Sequence, residues 1–256
     1  MCRHLTWLGA PRTLAEVVLA PPYGLLHQAH APREQRHGTV NADGFGVGWY
    51  AEARPEPARY RRAVSIWTDR SFASFAPVVS SGTVLAAVRS ATRGFPVDEA
   101  GAAPFTVGPW LFSHNGRLDD WGRAAPELRA RVPAAVAATV EGPSDAALLW
   151  AMARHRLESG QPLGVALVGV VADATSVTTG RLNLLATDGT TVAATTYGDT
   201  LYTRVEPDGL LVASEPGDDR PGWSRVPDGS LVLATADDLT VTAMPLNEPT
   251  PTGGRP

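Results

Sequence analysis

Alternation of apolar and polar residues marks much of the chain as β-strand. The clearest segment is Gly44–Ala51 (GFGVGWYA), which follows Asp43 in an Asp-Gly turn and alternates glycine with larger, mostly apolar side chains. Further Asp-Gly pairs separate short apolar runs in the C-terminal third. The pattern predicts the remaining strands at Tyr60–Trp67, Thr83–Arg89, Phe105–His114, Arg181–Thr187, Thr191–Tyr197, Leu201–Val205, Leu210–Ser214, Ser230–Thr235 and Leu239–Met244.

Helical periodicity is confined to a few segments. The best is Asp145–Leu157, with Ser144 as its predicted N-cap. The apolar run Gly164–Ala172 fits a helix or a buried strand, and the Pro-rich Arg54–Pro57 is typical of a hairpin loop. Many strands and few helices, without regular βαβ alternation, predict an α+β fold of antiparallel sheets covered by helices. Weaker helices are predicted at Leu14–Ala20, Ser71–Val79 and Ala124–Val132.

The composition is that of a globular protein, and it excludes a membrane-spanning helix and some kinds of catalysis. The 256 residues, 44% hydrophobic, predict one domain over 1–256 with a frayed tail at 247–256. No apolar run approaches the roughly 20 residues of a membrane span, and no signal peptide is evident, so we expect a cytoplasmic protein. A net charge of −4 does not favour a nucleic-acid partner. All 22 basic residues are arginine, which excludes lysine-dependent catalysis.

The single cysteine is Cys2, directly after the initiator methionine. One cysteine excludes an internal disulfide and a multi-thiolate metal site. Removal of Met1 would leave a thiol and a free α-amine on one residue, which together make a nucleophile and its base. An incidental cysteine at a frayed terminus is the ordinary alternative, so other segments must decide between the two.

Two strands end in residues suited to binding a polar ligand. The alternating glycines of Asn41–Tyr50 clear one face of a strand, so that another backbone or a ligand can approach. In Val88–Gly94, Arg89 ends an apolar strand, where a guanidinium suits bidentate capture of a carboxylate. A plain hairpin strand and a surface arginine are the alternatives.

Two further segments supply donors and a carboxylate. Asn115 and Gly116 offer a side-chain amide and a backbone N–H, the pair needed to stabilise an oxyanion, although an Asn-Gly turn is the simpler interpretation. Ser113 and His114 point to opposite faces of a strand and cannot form a Ser–His pair. Asp145, the first residue of the best predicted helix, would complement Arg89 by binding an ammonium group. The alternative is that its carboxylate only interacts favourably with the helix dipole.

In this order, an N-terminal Cys, N-A-D-G-F-G-x-G-W, R-x-A-T-x-G, H-N-G and S-D resemble the class II glutamine amidotransferases, which are N-terminal nucleophile hydrolases. The resemblance is dense from Cys2 to about Leu149. It implies a four-layer αββα sandwich in which Cys2 attacks a γ-glutamyl amide. It also implies that Asn115 and Gly116 form the oxyanion hole, and that Arg89, Thr92, His114 and Asp145 bind the substrate.

Within the family, the chain departs from the synthase-type members at Ser90, Arg93 and Ala147 and is similar to a stand-alone branch, the amidohydrolases of ergothioneine biosynthesis. That branch implies γ-glutamyl-hercynylcysteine sulfoxide as a small-molecule substrate, with no cofactor. The alternatives are a glutaminase subunit that feeds a separate synthase and a catalytically silent binding module. A homo-oligomer is one of the assemblies that the sequence allows. His27, His30 and His37 lack partners at ligand spacing, so we expect no metal and place them in a loop near the substrate entrance.

Overall fold

The structure is a computed structural model that describes residues 2–246. The expected frayed tail, 247–256, lies outside the described residues. Within that range the chain forms thirteen strands: β1 (Arg3–Thr13), β2 (Phe45–Ala51), β3 (Arg54–Arg62), β4 (Ser80–Val88), β5 (Phe105–Val107), β6 (Trp110–Leu118), β7 (Gly180–Thr187), β8 (Val192–Thr195), β9 (Tyr202–Glu206), β10 (Gly209–Ala213), β11 (Ser224–Arg225), β12 (Ser230–Ala234) and β13 (Leu239–Ala243).

The strands form two antiparallel sheets. The first has seven strands in the order β11-β9-β10-β1-β4-β2-β3, and the second has six in the order β13-β12-β8-β7-β6-β5. The α-helices are α1 (Leu25–Gln28), α2 (Arg70–Phe75), α3 (Trp121–Arg129), α4 (Ala134–Ala137), α5 (Asp145–Glu158) and α6 (Leu163–Thr175). A π-helix spans Ala15–Leu19, and short 3₁₀ turns span Ile66–Thr68 and Glu99–Gly101.

Three apolar clusters separate four layers. One packs the π-helix, α1 and α2 on the first sheet, through residues such as Trp7 and Phe72. The second lies between the sheets, with Leu85 and Leu111 at its centre. The third packs α3, α5 and α6 on the second sheet. Because each sheet buries both faces, the result is the expected αββα sandwich, and the α+β expectation is confirmed.

Most predicted elements are present, and the exceptions have physical causes. β1, the longest strand, was not predicted because it is central and its residues 3–8 are all buried, so it lacks polar alternation. Arg54–Pro57 was wrongly predicted as a loop, because the edge strand β3 begins at Arg54 and tolerates prolines there. The predicted strand Tyr60–Trp67 is strand only as far as Arg62, where β3 ends. Phe105–His114 is two strands, divided by a turn at Gly108-Pro109.

The helices that the sequence predicted are also present, with one difference in helix type. Asp145–Leu157 is confirmed as α5, with the Ser144 hydroxyl accepting a hydrogen bond from the Ala147 N–H. The ambiguous run Gly164–Ala172 is the helix α6. Leu14–Ala20 is π-helical rather than α-helical.

The alternating glycines of β2 allow a close approach, as expected. A Cβ added at Gly46 would lie 2.3 Å from the Ala103 carbonyl oxygen, and one at Gly48 would lie 2.6 Å from Leu111 Cδ2. The glycines therefore let the segment around Ala103 and the second sheet pack directly on the backbone of β2.

Candidate active site

One cavity contains most of the residues singled out from the sequence. It opens where the start of β1 and the end of β4 meet β6 and the start of α5. Its walls are formed by Cys2, Ala87, Val88, Arg89, Ser90, Thr92, Phe95, Gly101, Ala103, Phe105, His114, Gly116, Ser144, Asp145 and Ala146. Of the seven predicted site residues, only Asn115 is not part of this wall.

Cys2 is half-buried and immediately precedes β1. In the antiparallel pairing of β1 with β4, Arg3 lies opposite Val88, so the register brings Cys2 beside Arg89. The pairing of a central strand thus joins residues that are 87 positions apart in sequence.

Arg89 is a buried cation whose guanidinium, within residues 2–246, donates hydrogen bonds to backbone carbonyl groups alone. Its side chain is 7% exposed, and its Nη2 and Nη1 donate to the carbonyl oxygens of Pro96 (3.0 Å) and Asp98 (3.4 Å). A Cβ at Gly101 would lie 2.5 Å from Arg89 Cζ, so this glycine makes room for the guanidinium. No carboxylate among residues 2–246 forms an ion pair with it. A buried guanidinium without a counter-ion favours binding of an anion.

Asp145 presents a carboxylate held by two backbone donors. It is buried at the first turn of α5, where Oδ2 accepts from the Leu118 N–H (3.0 Å) and Oδ1 from the Ala146 N–H (2.8 Å). These bonds join α5 to the end of β6 and orient the carboxylate toward the cavity. Each oxygen retains a lone pair for a ligand cation.

Strand β6 contributes His114 and Gly116. His114 Nε2 lies 2.9 Å from the Arg181 carbonyl oxygen on β7, and because a carbonyl only accepts, Nε2 carries the proton. A Cβ at position 116 would lie 1.9 Å from the same oxygen, so only glycine fits this register.

Asn115 lies behind the cavity wall. Its side chain is fully buried, and its Nδ2 lies 3.4 Å from the Ser214 hydroxyl, which also binds the backbone of His4 near the start of β1. The strand pleat directs the Asn115 side chain toward the first sheet, whereas the donor expected of Gly116 is its backbone N–H, which lies in the plane of the second sheet. The two expected oxyanion donors therefore approach from different sides.

The remaining wall includes Thr92, which the R-x-A-T-x-G motif indicated, and residues that no motif indicated. Thr92 is half-buried, and its carbonyl accepts from the Phe95 N–H (3.0 Å). The Phe95 ring makes an edge contact with Trp121 at 5.7 Å. Phe95 lies in an irregular loop and Gly101 ends the short 3₁₀ turn Glu99–Gly101, so no periodicity in the sequence could have indicated that they face a cavity.

His27 and His30 do not contribute to the cavity wall. Their rings form an aromatic row from Tyr23 to Trp67, with neighbouring centroids 5.3 to 5.9 Å apart. His37 is exposed in the following loop. Among residues 2–246, no group of three or more His, Cys, Asp or Glu side chains is placed to hold a metal ion.

Solved structures of glutamine amidotransferases share this fold. A glutamine aminotransferase class-II domain protein from Silicibacter pomeroyi matches 95% of this chain and 99% of its own, with TM-score 0.67 and 22% identity. Glutamine phosphoribosylpyrophosphate amidotransferase from B. subtilis matches 96% of this chain and 50% of its own, with TM-score 0.67 and 16% identity. The chain therefore has the fold of these amidotransferase structures.

Sequence comparison narrows the class to a family. The profile described as "Glutamine amidotransferases class-II" matches residues 25–211, and the chain belongs to this family. It is 45% identical over 244 residues to the γ-glutamyl-hercynylcysteine sulfoxide hydrolase of Mycolicibacterium smegmatis, covering 95% of this chain and 100% of the relative. A relative of the same name from Mycobacterium tuberculosis (strain H37Rv) is 45% identical over 245 residues, covering 95% and 97%.

Proposed function

We propose that this protein is an amidohydrolase that cleaves the γ-glutamyl amide of γ-glutamyl-hercynylcysteine sulfoxide, releasing glutamate and hercynylcysteine sulfoxide. The observation that carries the proposal is the cavity, which contains a thiol, an unpaired buried guanidinium and a fixed carboxylate. Relatives that match nearly their whole length carry this enzyme name, which favours a free-standing hydrolase over an ammonia-supplying subunit.

Recognition of the glutamyl group follows from charge. Its α-carboxylate would pair with Arg89, and its α-ammonium with Asp145, leaving the γ-carbonyl directed at Cys2. Thr92 and His114 would contribute to the wall of the same subsite. Because both charged side chains are more than 90% buried, ion pairs with the substrate would be strong and little screened.

The chemistry requires that Met1 be removed. The freed α-amine of Cys2 then takes the thiol proton, and the thiolate sulfur forms a bond to the γ-carbonyl carbon while the C=O electron pair moves to oxygen. Gly116 N–H and the Asn115 amide would stabilise this oxyanion. The electron pair on the oxyanion then re-forms the C=O bond, and the C–N bond breaks as the leaving amine takes a proton from the Cys2 α-ammonium. Water then hydrolyses the thioester, which releases glutamate and restores the thiol.

The test is glutamate release from a panel of γ-glutamyl compounds, with glutamine included, by the untagged chain. We expect loss of Met1 by intact-mass analysis and a preference for the sulfoxide substrate. Cys2→Ala should be inactive, and an N-terminal extension should abolish turnover because it blocks the amine.

Four results would contradict the proposal, each in a different part. Retention of Met1 in active protein, or turnover by Cys2→Ala, would exclude Cys2 as the nucleophile. A preference for glutamine would leave the amidohydrolase and remove the sulfoxide substrate. Ligand binding without turnover would indicate a silent binding module.

Two further expectations stay predictions. No helix formed by residues 2–246 combines the length and the apolar character needed to cross a bilayer. We propose a cytoplasmic location, consistent with the small-molecule substrate. A homo-oligomer is the second prediction, and light scattering of the purified chain would test it.

A further inference from the structure

Ser214 is a fully buried residue directly after β10, which pairs with β1. Its backbone N–H donates to the His4 carbonyl oxygen (2.9 Å), and its own carbonyl accepts from the Thr200 hydroxyl (2.7 Å). Both backbone groups are therefore engaged in the sheet and the neighbouring loop. The hydroxyl is left to make contacts of its own.

That hydroxyl joins two parts of the candidate active site. Ser214 Oγ accepts from the backbone N–H of His4 (3.0 Å), two residues after the nucleophile, and lies 3.4 Å from Asn115 Nδ2. One oxygen thus connects β1, the strand that directly follows Cys2, with the amide expected to stabilise the oxyanion.

Asn115 has no other side-chain hydrogen bond among residues 2–246, since its Oδ1 has no partner. Rotation about the terminal torsion of an asparagine is intrinsically broad, so a single hydrogen bond decides where the amide points. When one amide N–H binds Ser214, the other remains available for a substrate oxygen.

We propose that Ser214 is a positioning residue for the oxyanion hole: it orients the Asn115 amide relative to the strand that carries Cys2. The inference rests on the proposed function, because it concerns the oxyanion of that reaction. It assigns a role to a residue that lies 99 positions from Asn115 and outside the recognised motifs.

A matched control lies on the neighbouring contact between the sheets. Ser113 is also fully buried, and its hydroxyl lies 3.1 Å from His4 Nδ1. Ser113→Ala therefore removes a buried hydroxyl that joins β1 to β6 without touching the Asn115 side chain. Comparison of Ser214→Ala with Ser113→Ala separates orientation of Asn115 from general loss of a buried hydrogen bond.

The experiment measures steady-state hydrolysis of the γ-glutamyl substrate together with alkylation of Cys2 by iodoacetamide. Alkylation forms a carbon–sulfur bond and expels iodide, so it needs the thiolate but no oxyanion donor. We expect Ser214→Ala to lower kcat by about 10- to 100-fold, part of the loss seen when an oxyanion donor is removed, and to leave KM and the alkylation rate within about twofold. Ser113→Ala should change kcat by less than about threefold.

A double-mutant cycle tests the route of the effect. If Ser214 acts through Asn115, the double variant Asn115→Ala/Ser214→Ala should have the same kcat as Asn115→Ala alone. The inference would be overturned if the losses of kcat in the two single variants multiplied in the double variant. It would also be overturned if Ser214→Ala lowered the alkylation rate as much as kcat, or if Ser214→Ala and Ser113→Ala lowered kcat equally. If Ser214→Ala does not fold, Ser214→Cys replaces it, because a thiol is a weaker hydrogen-bond partner than a hydroxyl. We then expect a kcat below that of the parent, and an unchanged kcat would refute the proposal. Absence of glutamate release by the parent chain would instead refute the proposed function.

Discussion

Protonation of His4 should make the stability of the fold strongly dependent on pH. The ring is fully buried, with Nδ1 lying 3.1 Å from the Ser113 hydroxyl and no hydrogen-bond partner at Nε2 within the described chain. Burial, followed by the nearby His114 and Arg3, lowers the pKa of His4 to about 3. The folded protein therefore holds His4 neutral at pH values where the unfolded chain binds a proton.

The sign and size of the effect follow from proton linkage. Because the folded pKa is below the unfolded value of about 6.5, this stabilisation is fully present above that value and is lost as the pH falls toward about 3. The whole shift corresponds to about 5 kcal/mol, of which about 2 kcal/mol is lost by pH 5.

The assay is urea unfolding of the parent and of His4→Asn at about pH 7.5 and about pH 5. Asparagine keeps a neutral donor near Ser113 and does not titrate. The parent should lose about 2 kcal/mol more unfolding free energy than the variant between these pH values. Equal losses in the two proteins would show that His4 is not held neutral by the fold, and the reasoning from burial would be refuted.

Three further substitutions test the site and its supports. Gly116→Ala should destabilise the fold by about 3 kcal/mol or more, seen as a lower Tm, because its Cβ would meet the Arg181 carbonyl oxygen at 1.9 Å; a stable variant would contradict this register. Arg89→Gln should raise KM for γ-glutamyl substrates about 10- to 100-fold, as expected for loss of a charged hydrogen bond, and an unchanged KM would remove Arg89 from recognition. Ser144→Ala should cost about 1 kcal/mol in urea unfolding, and no cost would show that the cap on Ala147 is unimportant.

Local signals in the sequence predicted much of the secondary structure. Turn dipeptides and period-two alternation located most strands to within about three residues, and the N-cap at Ser144 located α5. The same reasoning did not detect β1, since a strand buried on both faces has no alternation to detect. It also misplaced the edge strand β3, where solvent exposure lets proline and arginine replace the usual strand residues.

The chemical groups of the candidate site were also evident in the sequence. Cys2, Arg89, Asn115, Gly116 and Asp145 were indicated by residue type and local context, and their catalytic and binding roles stay predictions. Local context indicates which chemical role each side chain is able to take. It cannot state which side chains meet, because their separation in space depends on the pairing of strands that are distant in sequence.

By itself, then, the sequence determined the class of fold, the family and the inventory of reactive groups, because each of these depends on local pattern or on motif order. Only the tertiary structure decided that Cys2 lies beside Arg89 through the β1–β4 register, and that Asn115 faces the space between the sheets. It alone showed that Gly101 accommodates a guanidinium and that the Ser214 hydroxyl lies 3.4 Å from the Asn115 amide nitrogen. These are long-range contacts, selected by close packing and hydrogen bonding in a folded interior, and they leave no periodic trace along the chain.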